Sequence, residues 1–107
     1  MTPLLVITNC PDGAVATAIA NAAVDAGIAA CANILAPCRS IYRWQGAIET
    51  AEETPLLLKT CAERYGELET LISELHSYDV PEIIALPIDR GLPTYLGWLA
   101  TETGEAR

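Results

Sequence analysis

The hydrophobic pattern of this chain changes period five times, and this alternation limits the folds open to it. Residues 4–8 are a short apolar run rich in β-branched side chains, and residues 14–26 then repeat apolar side chains at helical spacing. Residues 29–60 follow with period-two alternation, interrupted by a Gln-Gly pair, which predicts a long β-hairpin. Helical spacing returns over residues 62–75, before a last apolar strand and a short helix.

The resulting order, βαββαβ with a terminal helix, is the split βαβ or ferredoxin-like arrangement. We therefore predict an α+β fold with one domain over residues 1–107, a long β-hairpin and a short C-terminal helix opened by Pro93. A chain of 107 residues, 51% of them hydrophobic, can build one core and has no room for a second. Because this fold serves many unrelated functions, it does not by itself predict an activity.

Several local signals predict where the elements begin, end and face. Asp12 is the expected N-cap of the first helix, and Gly27 is expected just after its end. Pro37 and Pro55 cannot donate hydrogen bonds within a sheet, so each predicts an edge position or a β-bulge. The final segment, TETGEAR, is expected to be loosely held. The predicted inward-facing helix residues are Val15, Ile19, Ala22 and Ala26, then Tyr65, Leu68, Leu71, Ile72 and Leu75.

The charge balance argues against two classes of partner. The chain has 14 acidic and 6 basic residues and a net charge of −8, so its mean field repels nucleic acid and anionic membrane surfaces. Its apolar runs are also too short to cross a bilayer. The N-terminal residues lack the early positive charge of a secretory signal, and the four cysteines form no Cys-x-x-Cys pair. We therefore expect a cytoplasmic protein with free thiols.

No sequence motif points to catalysis. Four single residues each allow two interpretations, one structural and one functional. His76, the only histidine, either complements a helix dipole or belongs to a functional cluster. Lys59 either extends to solvent past three leucines or faces an anion in a cleft. Trp44 and Trp98 either pack in the protein or stack on a ligand.

Five segments, in chain order, carry a resemblance to a known family: AACANI, SIYRWQGAIE, LLLKT, HSYDVPEIIALPI and TYLGWL. Together they resemble the CutA family of divalent-cation tolerance proteins over nearly the whole chain. The chain departs from the usual family pattern at Ser77, where proline is usual, at Asp79, where glutamate is usual, and at Pro55, in a normally aliphatic strand. The resemblance implies a homotrimer similar in architecture to the PII signalling proteins, linked to copper tolerance, with no established enzymatic reaction.

Carried over residue by residue, the resemblance also implies a ligand cleft between subunits. The positions that match the cleft are Cys31, Trp44, Lys59, Tyr78, Glu82 and Trp98. His76 lies at its margin. The expected function is a trimeric divalent-cation tolerance protein that binds copper or a small ligand in this cleft. The alternatives are an enzyme acting on an unknown substrate there, and a passive trimeric scaffold for a partner protein.

Copper, as the possible cofactor, has two expected ligands in this sequence. Cys31 and His76 can supply thiolate and imidazole, which copper prefers, whereas the many carboxylates would not select copper over harder cations. Two ligands seldom suffice, so such a site is expected to be weak in one subunit and improved where subunits meet. The competing interpretation is adventitious copper binding by an exposed thiol among Cys10, Cys38 and Cys61.

Overall fold

The computed structural model describes residues 1–104. No helix in this part of the chain is long and apolar enough to cross a membrane. The elements follow the predicted order, except that the first hairpin arm is divided into two strands. They are β1 (Pro3–Cys10), α1 (Gly13–Asp25), β2 (Cys31–Ile34), β3 (Cys38–Trp44), β4 (Ala47–Cys61), α2 (Ala62–Leu75), β5 (Ile84–Pro87) and α3 (Pro93–Glu102).

One antiparallel sheet organises the domain. Its strand order is β2-β4-β1-β5, and β3 pairs with the outer half of β4. The first arm of the hairpin and β4 count as the second and third strands of the βαββαβ order. The predicted α+β, ferredoxin-like arrangement is therefore confirmed.

The hairpin turn forms where the sequence predicts it. Gln45 and Gly46 have φ angles of 50° and 81°, the positive values of a two-residue turn whose twist matches that of the strands. This turn sets Trp44 opposite Ala47 and fixes the register of β3 against β4.

Both hairpin prolines lie at an irregularity between the arms. Ile34 pairs with Leu56, but Cys38 pairs with Glu53, so three residues of one arm face two of the other. This is the geometry of a β-bulge. Pro55 lies within it but does not interrupt β4, which runs unbroken and is a central strand. The predicted bulge is confirmed.

Helix α1 begins and ends at the predicted signals. The Asp12 carboxylate accepts a hydrogen bond from the backbone N–H of Val15 at 2.9 Å, and Gly27 has a φ of 71° just after the helix. Its buried face is rotated from the predicted one, because a helix this rich in alanine gives little contrast between faces. The buried residues are Ala16, Ile19, Ala20 and Ala23, whereas Ala26 is exposed.

The core lies between the two long helices and one face of the sheet. In β4 the even-numbered residues 54–60 are buried, and Leu56 and Leu58 pack in the same cluster as Leu68 and Ile72 of α2. The predicted inward position of Leu75 is wrong, since 43% of that side chain is exposed. It lies at the end of α2, beyond the reach of the core.

The opposite face of the sheet is only partly covered. Helix α3 packs there, since Tyr95 contacts Cys31 and Thr103 contacts Cys61, both on the face away from α1 and α2. The rest of that face carries apolar side chains that no element within residues 1–104 covers; we call it the open sheet face. It consists of half-buried Leu5, Ile7 and Leu57 and exposed Ile84 and Leu86.

The segment after α3 differs from its prediction. Thr103 is 2% exposed, and its hydroxyl donates a hydrogen bond to the carbonyl of Leu99 at 2.8 Å. The Arg64 guanidinium donates to the carbonyl of Thr103 at 3.0 Å. The expectation of a loosely held segment is therefore wrong for residues 101–104. Residues 105–107 lie outside the described residues.

Candidate ligand-binding site

A cavity of about 670 Å³ lies between the β3–β4 hairpin and the loop of residues 77–82 that follows α2. Its size is in the range typical of small-molecule sites. It therefore provides a candidate site within a single chain. Its lining residues are Asn9, Ser40, Ile41, Tyr42, Trp44, Glu49, Glu53, Tyr78, Asp79, Val80 and Glu82.

Strand alternation brings the hairpin residues to this cavity. Ser40, Tyr42 and Trp44 are two residues apart and share one face of β3. Tyr42 is directly opposite Glu49 on β4, and Glu53 lies four residues further along the same face of β4. The hairpin therefore presents aromatic rings beside carboxylates, in a register that the turn dictates.

Glu53 is the most deeply buried carboxylate of the site. It is 9% exposed, and its Oε2 accepts a hydrogen bond from the Tyr78 hydroxyl at 3.0 Å. Burial, and then the hydrogen bond and charge of Glu53, raise the pKa of Tyr78 to about 12. At neutral pH, Tyr78 is thus a stable hydroxyl donor that holds the 77–82 loop against the hairpin.

His76 joins the same loop to β1. Its Nδ1 accepts a hydrogen bond from the Tyr78 backbone N–H at 3.2 Å. Nε2 lies 2.8 Å from the Asn9 carbonyl and donates to it. The interpretation of His76 as complementing the helix dipole stays a prediction, and its two ring nitrogens contact backbone groups of β1 and of the loop. His76 positions the loop that carries Tyr78.

Three other predicted cleft residues form a second cluster elsewhere on the sheet. Cys31 and Lys59 are paired across β2 and β4, and the Lys59 ammonium donates to Asn33 Oδ1 at 2.7 Å. The Cys31 sulfur lies 3.8 Å from the Tyr95 hydroxyl, and the Tyr95 ring lies 5.6 Å from that of Trp98. Burial, and then contact with Cys31, raise the pKa of Tyr95.

The predicted cleft residues are thus divided between two clusters of one chain. Trp44, Tyr78 and Glu82 line the cavity. The second cluster consists of Cys31, Asn33, Lys59, Tyr95 and Trp98.

The structure does not bring the two expected copper ligands together within one chain. His76 is bonded to Asn9, which pairs with Pro55, whereas Cys31 pairs with Lys59 on the other side of β4. Strand geometry puts about 16 Å between the backbones of Asn9 and Cys31. Residues 1–104 contain no group of three or more His, Cys, Asp or Glu side chains that could hold a metal ion.

The competing thiols are less accessible than the sequence suggested. All four cysteines are free, but Cys10 and Cys61 are 0% and 4% exposed. Burial, and then the charges of Asp12 and Glu53, raise the pKa of Cys10 to about 11. Only Cys38 remains as a partly exposed thiol besides Cys31.

Sequence reasoning missed several residues of both clusters, although one signal was present. The Gln-Gly turn and period-two alternation are enough to place Tyr42 and Glu49 opposite each other and beside Trp44. No local signal could have found Glu53 as the partner of Tyr78, which lies 25 residues away in sequence. The same holds for Tyr95, 64 residues from Cys31.

The fold and the site define a small α+β protein of split βαβ topology, with an acidic, aromatic cavity beside its hairpin and an open sheet face. The family described as CutA1 divalent ion tolerance protein matches residues 4–102, nearly the whole chain. The chain therefore belongs to the CutA1 family, as the resemblance of its motifs predicted.

Individual relatives agree with this assignment. The divalent-cation tolerance protein CutA of Thermus thermophilus is 44% identical over 100 residues, covering 94% of this chain and 97% of that protein. Its structure matches with a TM-score of 0.93 and 43% identity, covering 95% of this chain and 99% of that chain. Protein CutA of Mus musculus is 40% identical over 91 residues, covering 85% of this chain and 51% of the mouse protein. The Archaeoglobus fulgidus structure, described as a periplasmic divalent cation tolerance protein, matches with a TM-score of 0.92 and 33% identity, covering 95% and 99% of the two chains.

Proposed function

We propose that this CutA1-family chain assembles as a homotrimer and binds a metal ion or a small ligand in clefts between its subunits. The observation that carries the proposal is the open sheet face. Ile84 and Leu86 of the edge strand β5 are 48% and 45% exposed, and both lie beside half-buried leucine and isoleucine of β1. A contiguous apolar face of this kind marks an interaction surface.

The size and shape of the single chain support self-association. Its accessible surface is 6354 Å², against about 5,800 Å² expected for a compact monomer of its mass. Its radius of gyration is 14.4 Å, against about 13 Å for a compact domain of this length. The chain therefore leaves more surface uncovered than a monomer needs, and copies of itself are the occupants that symmetric assembly favours.

The six predicted cleft residues lie in two separate clusters of one chain, which supports a cleft formed by two subunits. The first cluster is the cavity lining, which includes Trp44, Tyr78 and Glu82. The second cluster includes the other three predicted cleft residues, Cys31, Lys59 and Trp98. A trimer that places one subunit's first cluster beside its neighbour's second cluster would unite all six.

Copper binding is the second part of the proposal, and Cys31 is its expected ligand. The Cys31 thiol is partly exposed and lies 3.8 Å from both the Asn33 side-chain oxygen and the Tyr95 hydroxyl. His76 would have to release a backbone partner before it could bind a metal ion, because both its ring nitrogens are hydrogen-bonded. Copper at a subunit contact therefore depends more on symmetry-related copies of Cys31 than on His76.

The oligomeric state is tested by light scattering. At micromolar concentration we expect a mass three times the 11.4 kDa of the chain. Leu86→Glu should dissociate the assembly, because it introduces a charge into the open sheet face. Val24→Glu is the matched control, since Val24 is exposed on α1, away from that face. A monomeric mass for the unaltered chain would refute the trimer.

Ligand binding is tested by thermal shift with Cu(I), divalent metals and nucleotides. A ligand present at about 100 times its Kd should add about 2.7 kcal/mol of stability. Loss of the copper shift in Cys31→Ser, with the trimer intact, supports the copper site, and an unchanged shift contradicts it. Turnover of a bound compound would favour the enzyme alternative, and no response to any ligand would favour the scaffold.

A cytoplasmic location is also proposed. The four cysteines are all free thiols, as is usual for proteins kept in a reducing compartment. Fractionation of the cells that produce the protein tests this location.

A further inference from the structure

The only lysine of the chain lies at one end of the open sheet face. Lys59 is opposite Leu5 of β1, and its side chain is on the same face of β4 as Leu57. It is half-buried, and its ammonium donates to the neutral amide oxygen of Asn33 at 2.7 Å. Within residues 1–104, no carboxylate forms an ion pair with it. A positive charge without a counter-charge therefore marks this end of the face.

The opposite end of the same face is acidic. Asn9 follows Leu5 by four residues on β1, which puts about 14 Å between their backbones. The side-chain amide of Asn9 donates to Glu82 Oε1 at 3.4 Å. Glu82 is exposed, lies two residues before Ile84 of the open sheet face, and lines the cavity with three other carboxylates. Each chain therefore carries Lys59 at one end of an apolar stripe and carboxylates at the other end.

Covering the open sheet face with a second copy would change the cost of both charges. In a single chain, water can solvate the Lys59 ammonium and the Glu82 carboxylate, since neither residue is fully buried. A neighbour packed on the face excludes that water, and a charge buried without a counter-charge is strongly destabilising. Lys59 and Glu82 do not pair within one chain. The counter-charge for each has to come from the neighbouring copy.

A ring of three subunits provides this counter-charge at every contact. In such a ring, one surface of each subunit meets a different surface of the next subunit. The positive end of one open sheet face can therefore meet the acidic end of the next around the whole ring. Contacts between two positive ends or between two acidic ends are disfavoured, because like charges repel at an interface.

Among the four carboxylates of the cavity, Glu82 is the best placed to receive Lys59. Glu53 is buried within its own chain and already accepts the Tyr78 hydroxyl. Of the four, only Glu82 has a side-chain hydrogen bond to β1 among the described residues, and β1 carries part of the open sheet face. Glu82 therefore lies where the cavity meets the surface that a neighbour would cover.

We infer that Lys59 of each subunit pairs with Glu82 of the adjacent subunit, so that the ligand cleft contains an ion pair that one chain alone does not form. This inference rests on the proposed function, because it requires the proposed trimer. The pair brings a positive charge to a cavity whose charged lining residues, among residues 1–104, are all acidic. It also selects which end of one subunit meets which end of the next, because complementary charges fix the register of an interface.

Cross-linking with a carbodiimide tests the pair directly, because this reagent joins an amine to a carboxylate that is in contact with it. The chain offers the reagent a single side-chain amine, that of Lys59. We expect a covalent dimer on a denaturing gel, and mass spectrometry of that dimer should find Lys59 joined to Glu82. A cross-link from Lys59 to a different carboxylate, or no covalent dimer from an intact trimer, would overturn the inference.

Charge variants test whether the pair holds the subunits together. In a fixed concentration of urea, Lys59→Met and Glu82→Gln should each raise the protein concentration at half-dissociation by at least about tenfold. Lys59→Glu should dissociate the trimer further, and adding Glu82→Lys should restore most of the loss. Arg90→Met is the matched control, since it removes the same charge from a side chain that is 93% exposed and pairs with Asp89. Equal loss in Arg90→Met, no loss in Lys59→Met, or no restoration by the charge swap contradicts the pair.

Light scattering of the unaltered chain reports the proposed assembly separately. A trimer that gives no cross-link between Lys59 and Glu82 refutes the ion pair and leaves the assembly standing, whereas a monomer refutes both. Circular dichroism shows whether each variant keeps its fold. The cross-link is measured on the unaltered chain, so it decides the question even where a variant does not fold.

Discussion

Removal of one hydroxyl group tests the most unusual interaction of the site. Tyr78→Phe keeps the aromatic ring but deletes the group that donates to Glu53 Oε2 at 3.0 Å. The Glu53 side chain would then keep its buried position, at 9% exposure, with no hydrogen bond from the described residues. The cost therefore includes the lost bond and the penalty of an unsatisfied buried carboxylate.

The expected loss in the free energy of unfolding depends on which of the two groups loses its hydrogen-bond partner. Tyr78→Phe should lower the free energy of unfolding by about 1–3 kcal/mol, the cost of stranding a buried polar group. Glu53→Gln should cost about 0.5–1.5 kcal/mol, because its amide oxygen still accepts from Tyr78. In the double variant the stranded carboxylate is absent. The two effects should therefore be non-additive, with a coupling of about 1 kcal/mol.

The assay is urea denaturation followed by circular dichroism, at one fixed protein concentration because the chain is expected to be oligomeric. Tyr65→Phe is the matched control: its hydroxyl also donates to a glutamate, Glu69, at 2.8 Å, but that carboxylate is exposed to water. It should cost less than about 1 kcal/mol. Equal costs for the Tyr65 and Tyr78 variants, or an additive double variant, would refute the argument that burial of Glu53 makes its bond important.

Three further outcomes are expected. Cys10 and Cys61 should react with a disulfide reagent only after unfolding, because both are buried and the pKa of Cys10 is raised to about 11; rapid reaction of all four thiols contradicts this. Folding raises the pKa of Tyr78 from 10.0 to about 12, so its contribution to stability is complete below pH 10 and is lost as pH rises to 12. Alkaline denaturation should therefore show a smaller fall in Tyr78→Phe than in the unaltered chain. Thermal unfolding should show that Gly66→Ala is more stable by about 0.5–1 kcal/mol, because Gly66 lies inside α2 and a Cβ there meets no atom within 4 Å. Gly46→Ala should be less stable, because the φ of Gly46 is 81°.

The ends of the elements were predictable wherever a single residue type controls the local backbone. Asp12 begins α1, Gly27 follows its end, and Gln45 with Gly46 forms the hairpin turn, all as the sequence indicates. The faces of the helices were less predictable. Leu75 fits the helical repeat of α2 yet is exposed, and it is the last residue of that helix.

Element order, turn positions and the residues of each strand face come from the sequence by itself, since they depend on side-chain period and on backbone preferences over a few residues. The tertiary structure alone decided that Tyr78 meets Glu53 and that His76 meets the Asn9 carbonyl of β1. It also decided that the predicted cleft residues divide into two clusters. Contacts between residues 25 to 67 positions apart depend on how the loop after α2 crosses the sheet. Packing of the whole chain sets that path, and no short-range preference encodes it.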